Sequence, residues 1–145
     1  MSMLDMASRL GNAQERQIVP TGIEYELEIV KMKTGASKKY ADDLEYVVYS
    51  CKILNPPDGM VNVGPVEVFL WDADVQKLID NIGEDRANDS DLGWKRFLEG
   101  IGVNWEEPFH KEDDIIGNIG WAVLGSKDEG EHGFKNTIRR WVTPK

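Results

Sequence analysis

The amino-acid sequence predicts a mainly β fold, a five-stranded barrel with a helical insertion between strands 3 and 4. Apolar and polar residues alternate up to Trp71, apolar residues then recur at helical spacing, and alternation returns near the C-terminus. The chain has 145 residues, the length of one domain. We expect residues 18–145 to form this domain and residues 1–17 to be a flexible N-terminal tail.

The strands are predicted from alternation and from turn residues. The first covers 23–29, where apolar side chains alternate with three glutamates. The apolar residues then shift to Val30 and Met32, which indicates a β-bulge, and a lysine-rich loop is expected over 33–39. The other strands are predicted at runs of β-branched and aromatic residues: 44–54, 61–71, 116–124 and 134–142.

The helical insertion is predicted over about 73–114. Asp72 or Asp74 is the expected N-cap of a first amphipathic helix. An acidic loop over 84–91 and a second, short helix should follow. We expect the aromatic residues of that helix to pack the insertion against the barrel, namely Trp94 and Phe97.

Three strands, a helical segment and two further strands are typical of the oligonucleotide/oligosaccharide-binding (OB) barrel. A helix-capped SH3-like barrel also fits this order. A ferredoxin-like alternation is excluded because no helix follows the first strand. Tyr25 and Trp121 are expected to belong to the barrel core.

Charge is distributed unevenly along the chain. The net charge is -9, from 17 Lys+Arg and 26 Asp+Glu. The segment 72–114 holds 13 acidic and five basic residues, whereas the rest of the chain is almost neutral. Two stretches without acidic residues, 31–39 and 135–145, are basic. The negative net charge is unfavourable for binding phosphate backbones, so any such binding must use local basic elements.

Several classes of protein are excluded by composition. The single cysteine, Cys51, excludes a disulfide scaffold and a multi-cysteine zinc or iron–sulfur site. Two histidines are too few for a histidine-rich metal centre. No apolar run reaches the roughly 18–20 residues of a membrane span, and the N-terminus lacks a signal-peptide core. We therefore expect a cytoplasmic protein that has no membrane partner.

Several segments are similar to those of a known family. They are 19–27 (Val-Pro-Thr-Gly-Ile-Glu-Tyr-Glu-Leu), the lysine-rich loop, 46–54 (Tyr-Val-Val-Tyr-Ser-Cys-Lys-Ile-Leu), 113–118 (Asp-Asp-Ile-Ile-Gly-Asn) and 134–138 (Phe-Lys-Asn-Thr-Ile). Through them the chain resembles small phage-type single-stranded-DNA-binding OB proteins that act in replication and recombination. The resemblance implies a non-catalytic DNA-binding protein in the host bacterial cell. Replication or recombination proteins, or further copies of the chain, are its implied protein partners.

Binding single strands requires cations for the phosphates and exposed rings for the bases. The expected cations are Lys31, Lys33, Lys38, Lys39, Lys52, Arg139 and Arg140, and the expected stacking rings are Tyr46, Phe69 and Trp71. Alternation predicts that these rings face outwards from strands 2 and 3. Two alternatives stay open: the loop lysines are only solvated, or Phe69 and Trp71 pack under the helical insertion.

Enzymatic interpretations find little support, and no cofactor is expected. Cys51 lies on the apolar face of a strand, which indicates a buried, inert thiol. The contiguous carboxylates 112–114 beside His110 point in different directions on an extended chain, as in a solvated loop. A rival function comes from the acidic segment 72–114. It could be an interaction surface, as in an adaptor or a DNA-mimic inhibitor that docks on a basic nucleic-acid-processing protein.

Overall fold

The computed structural model describes residues 6, 10, 16–41, 43–60 and 62–142. Within these ranges the elements are β1 (Glu24–Ser37), β2 (Leu44–Ile53), β3 (Val66–Trp71), α1 (Val75–Ile82), α2 (Glu84–Gly100), β4 (Ile119–Asp128), a 3₁₀ turn (Gly130–His132) and β5 (Phe134–Val142). The mainly β class predicted from the sequence is confirmed.

The segment before β1 contacts the domain from one residue earlier than predicted. Most of the expected tail, residues 1–17, lies outside the described residues, and so do residues 143–145. Gln17 forms a bridge with Val63, and its backbone N–H donates to the carbonyl of Asn62 at 2.7 Å. Val19 is buried in the core. The segment before β1 is therefore anchored to the domain from Gln17 onwards.

The five strands form one antiparallel sheet in the order β3-β2-β1-β4-β5. The edge strands β3 and β5 approach each other, but among the described residues no backbone pairing joins them. The prediction of a closed barrel is therefore wrong. One reason is that α2 covers part of this seam: the indole N–H of Trp94 donates to the backbone carbonyl of Trp71 at 2.7 Å. A backbone carbonyl at the end of β3 is thus hydrogen-bonded to the helix.

β1 contains the predicted bulge but is longer than predicted. Its register on β2 shifts between Ile29 and Lys31, so Val30 is the extra residue. The strand then continues to Ser37, because residues 31–37 pair with β2 throughout. The expected loop over 33–39 is therefore wrong for most of its length, and only the turn between Ser37 and Leu44 remains.

The boundaries of the later strands also differ from the prediction. β3 begins five residues later than expected, after Gly64 and Pro65, because proline cannot donate to a strand ladder. β4 begins at Ile119, since residues 111–117 form turns, and it extends to Asp128. β5 covers Phe134–Val142 as predicted.

Both helices follow β3 and precede β4 in the chain. Asp74 is the N-cap of α1 and accepts a hydrogen bond from the backbone N–H of Gln76 at 3.4 Å. The acidic loop predicted over 84–91 is wrong, because this stretch is the first half of α2. Two acidic residues in the first turn suit the positive end of the helix dipole, and Ala87 is buried against α1.

The main core lies between one face of the sheet and the C-terminal half of α2. The ring of Tyr49 stacks on that of Phe97 at 5.0 Å, and Trp94 meets both rings edge-on, as predicted for the packing of the helix. The end of α2 also lies close to β4. A Cβ atom added at Gly120 would lie 2.4 Å from the carbonyl oxygen of Gly100.

The two aromatic residues expected in the core have different positions. Tyr25 is buried, as predicted, and its hydroxyl donates to the backbone carbonyl of Pro20 at 3.0 Å. Trp121 is 41% exposed, so its assignment to the core is wrong. On β4 the inward positions belong to Gly120 and Ala122, and the intervening Trp121 must therefore face outwards.

Candidate nucleic-acid interface

Three aromatic side chains form a cluster on the outer face of β2 and β3. Tyr46 pairs with Trp71 across the two strands, and Phe69 occupies the neighbouring outward position. The ring of Phe69 lies 4.9 Å from that of Tyr46 and 4.9 Å from that of Trp71, with the second contact edge-on. Phe69 is 49% exposed. We call Tyr46, Phe69 and Trp71 the aromatic cluster, and Phe69 is its most exposed ring.

Two neighbours hold the cluster in place. An added Cβ at Gly35 would lie 2.6 Å from the hydroxyl of Tyr46, so the tyrosine lies over a glycine that leaves it room. Trp71 packs against the core between β2 and α1 and meets Tyr40 edge-on at 6.0 Å. The alternative of packing under the helices therefore applies in part to Trp71, whereas Phe69 remains largely accessible.

Two predicted lysines share the outer face with the aromatic cluster. The bulge at Val30 turns Lys31 and Lys33 to this side, where Lys31 is in register with Ser50 and Lys33 with Val48. Val48 in turn pairs with Phe69 on β3. Lys33 is therefore two strands away from Phe69, or roughly 9–10 Å at the usual spacing of strands.

The seam between β3 and β5 contains a cavity of about 530 Å³, which we call the seam cleft. Phe69 and Glu67 line it from β3, and Arg139 and Arg140 line it from β5. Arg96 of α2 lines the same cavity. The structure thus brings the two predicted arginines to the same cavity as the most exposed ring of the aromatic cluster.

A second cavity of about 270 Å³, which we call the helix hollow, lies between β3 and α2. Phe69 and Trp71 line it on one side, and Arg86 and Asp89 line it on the other. Gly93 borders both the helix hollow and the seam cleft, so the two cavities adjoin along β3. Together they form one groove, which we call the β3 groove.

Sequence reasoning missed Arg86 and Arg96. Both lie within the acidic segment, and the first falls in the stretch expected to be a loop. A helical projection of 84–100 would have found them, because Arg86, Gly93 and Arg96 lie within about 80° of one another at 100° per residue. The acidic residues of α2 that line neither cavity are Glu84, Asp85, Asp91 and Glu99.

The β3 groove has an excess of positive charge. Four arginines line it, against the two carboxylates Glu67 and Asp89. Among the described residues none of these six side chains takes part in an ion pair. The guanidinium groups therefore remain free to bind an anionic ligand.

The other predicted cations lie apart from the groove. Lys38 forms an ion pair with Asp43 at 3.0 Å, and Lys39 lies over the ring of Tyr40 at 5.8 Å from its centroid. Lys52 is in register with Glu28 and lines a separate hollow of about 380 Å³. The seven predicted cations therefore do not form a single surface.

A further cavity, about 630 Å³, continues the β3 groove beyond Glu67 towards the turn between β4 and β5. Arg16 and Phe134 line it, together with Lys135, which forms an ion pair with Glu129 at 3.1 Å. Asn136 also lines this cavity and binds the N-terminal segment. Its Oδ1 accepts from the backbone N–H of Val19 at 2.8 Å.

The candidates for catalysis or metal binding are the single cysteine and the His, Asp and Glu side chains. Burial raises the pKa of Cys51 to about 12, and its thiol is fully buried, as predicted. Within the described part of the chain, no group of three or more His, Cys, Asp or Glu side chains is arranged to hold a metal ion. No helix in that part is long and apolar enough to cross a membrane.

Comparison of the chain with protein-family models, with curated proteins and with solved structures gives no match. The resemblance to phage-type single-stranded-DNA-binding proteins therefore rests on the sequence motifs alone.

Proposed function

We propose that this protein is a non-catalytic single-stranded-DNA-binding protein of phage-type replication or recombination. The observation that carries the proposal is Phe69: a half-exposed ring, braced by two further aromatic rings, at a groove lined by four arginines. Stacked bases and neutralised phosphates are the two requirements for binding single strands without sequence preference.

The OB type of fold belongs to the same proposal. The strand order β3-β2-β1-β4-β5, with both helices between β3 and β4 in the chain, supports it. An OB barrel opened at one seam would place its ligand on the outer face of β2 and β3, where the aromatic cluster lies.

The first experiment measures binding of a labelled oligo(dT) of about 12 nucleotides by fluorescence anisotropy. A duplex of equal length is the competitor, and two ionic strengths are compared. We expect the single strand to bind more tightly than the duplex, because a duplex hides its base faces. We also expect the affinity to fall steeply as salt rises. Absence of binding at low salt would refute the proposal.

The second experiment compares Phe69→Ala with Trp121→Ala. Both variants remove an exposed aromatic ring from the outer face of the sheet, but Trp121 lines neither part of the β3 groove. Loss of one stacked base should weaken binding by about 5- to 150-fold in Phe69→Ala, since stacking contributes about 1–3 kcal/mol per base. Equal affinities of the two variants would show that the aromatic cluster is not the binding site.

A matched pair on α2 tests the cationic contacts. Arg96 lines the seam cleft, whereas its neighbour Lys95 lies over the ring of Trp105 at 5.1 Å. Arg96→Gln should reduce the slope of log affinity against log salt by about 0.7 if one phosphate contact is lost. Lys95→Gln should leave the slope unchanged, and the same change in both variants would exclude a specific contact by Arg96.

The rival proposal is a protein-interaction module that acts on a basic nucleic-acid-processing partner. It is supported by the acidic side chains of α2 that lie away from the β3 groove, such as Asp85 and Asp91. This proposal expects the protein to recover a basic protein from host lysate and the double variant Asp85→Lys/Asp91→Lys to lose it. Recovery of the basic protein by both the wild type and the double variant, or by neither, would contradict this proposal.

A further inference from the structure

Two carboxylates lie on either side of the stacking ring in the β3 groove. Glu67 lines the seam cleft and Asp89 lines the helix hollow, and Phe69 borders both cavities. Glu67 is two residues before Phe69 and on the same face of β3, which is about 7 Å along a strand. A base stacked on Phe69 would therefore have a carboxylate beyond each side of the ring.

Both carboxylates are free of protein partners. Among the described residues neither Glu67 nor Asp89 forms a hydrogen bond or an ion pair through its side chain. Other acidic side chains near the sheet are engaged, such as Asp43 with Lys38 and Asp72 with Lys111. An ionised carboxylate only accepts hydrogen bonds. Both side chains are exposed to solvent, so each can exchange its water for a donor of a bound base.

We infer that Glu67 and Asp89 make the β3 groove select bases that carry an amino group over thymine and uracil. This inference rests on the proposed function, because it requires a base to stack on Phe69. Cytosine, adenine and guanine each present an exocyclic amino donor, and these donors are unpaired in a single strand. Thymine and uracil present a carbonyl oxygen where cytosine carries its amino group, and their one donor, N3–H, stands between two carbonyl oxygens that repel a carboxylate.

The charge of the groove is consistent with such a role. A carboxylate beside a phosphate-binding arginine lowers the affinity for every nucleic acid, so it does not serve general binding. Its effect differs between bases, however, because only some of them carry an exocyclic amino group. Four arginines against two carboxylates leave the groove cationic, so the phosphates are still attracted.

The experiment compares oligo(dC) with oligo(dT), each of about 12 nucleotides, near neutral pH and at one ionic strength. The two strands match in length, charge and ring size. We expect oligo(dC) to bind about 3- to 10-fold more tightly, as for one additional net hydrogen bond. In Glu67→Gln and Asp89→Asn both affinities should rise, because a negative charge is lost, while their ratio should fall towards one.

The control variant is Asp91→Asn, which removes an acidic side chain of α2 that borders neither cavity. It should keep the wild-type ratio of the two affinities. Equal or tighter binding of oligo(dT) by the wild type would overturn the inference and leave the proposed function standing. A preference that survives in both Glu67→Gln and Asp89→Asn would overturn the role of these carboxylates. Absence of binding to either strand would refute the proposed function itself.

Discussion

Replacing Asn136 by alanine should destabilise the protein strongly, because this side chain joins three backbone groups in the interior. Its Oδ1 accepts from the N–H of Val19, and its Nδ2 donates to the carbonyls of Val19 and Gly125, each at 3.1 Å. Asn136 is 5% exposed. Asn136→Ala therefore removes all three hydrogen bonds and releases the segment that precedes β1.

The magnitude follows from these contacts. Three hydrogen bonds at about 0.5–1.5 kcal/mol each give a loss of roughly 1.5–4.5 kcal/mol. Backbone groups left without a partner would increase this cost, but Asn136 lines the cavity of about 630 Å³, through which water can reach some of them. We expect the free energy of unfolding to fall by about 2–4 kcal/mol, or the Tm to fall by about 5–15 °C in a domain of this size.

Equilibrium unfolding in urea, followed by tryptophan fluorescence, measures this loss. The control is Asn104→Ala, which removes a single exposed hydrogen bond, from the N–H of Glu106 at 3.1 Å. We expect the control to lose less than about 1 kcal/mol. An equally small loss in Asn136→Ala would refute the assignment of Asn136 as the link between the N-terminal segment and the sheet.

A second substitution at the same position adds a dependence on pH. In Asn136→Asp the carboxylate would face the carbonyls of Val19 and Gly125, and burial and these acceptors would both raise its pKa. A raised pKa in the folded state means that the protonated form is favoured by folding. The free energy of unfolding of Asn136→Asp, relative to the wild type, should therefore rise as the pH is lowered from neutral. A difference that does not change with pH would contradict this geometry.

Two further predictions concern packing and alkaline stability. Gly120→Ala should lower the free energy of unfolding by about 1–3 kcal/mol, because the new Cβ would meet the carbonyl oxygen of Gly100. Gly93 lies inside α2, where an added Cβ would make only an ordinary contact, so Gly93→Ala should instead raise the free energy of unfolding by about 0.5–1 kcal/mol. Changes of the same sign in the two variants, measured by urea unfolding, would contradict this. Burial raises the pKa of the Tyr49 phenol above its ordinary value of 10.0 and that of the Cys51 thiol to about 12. Since the unfolded chain loses these protons first, the free energy of unfolding should fall above about pH 9, with a slope of up to about 1.4 kcal/mol per pH unit per group. A free energy of unfolding that stays constant up to about pH 11 would contradict the burial of Tyr49 and Cys51.

The outward position of the aromatic cluster could be predicted because alternation on β2 and β3 is regular. Once Val47 and Tyr49 are assigned to the core, Tyr46 must face outwards, and Phe69 follows from Leu70 in the same way. The bulge at Val30 was also visible in the sequence as a shift of apolar parity. Such features depend only on neighbouring residues along the chain.

Features that depend on distant residues were predicted poorly. Trp121 was assigned to the core, yet the inward position beside it on β4 belongs to Gly120, which lies against the end of α2. At the open seam the indole of Trp94 donates to the backbone carbonyl of Trp71, 23 residues away along the chain. No local pattern in the sequence encodes such a contact.

The first half of α2 was missed for a different reason. Its high content of Asp, Asn and Ser resembles that of a loop, and its only buried residue before Leu98 and Phe97 is Ala87. The helix is stabilised there by packing against α1 rather than by an evident apolar stripe. Because the stretch was not recognised as helical, the position of Arg86 at the groove could not be inferred.

The unpaired residue in β1 makes this strand unusually tolerant of one change of length. Before Val30 the odd-numbered side chains point into the core, and after it Lys31 and Lys33 point outwards. Deleting Val30 would remove the extra residue and restore simple alternation, with Lys31 still opposite Ser50 and Lys33 still opposite Val48. An added residue in the turn between Ser37 and Leu44 would likewise change no orientation. Two single-codon length changes, one inside a strand and one in a turn, should therefore both leave the outer face of the sheet intact.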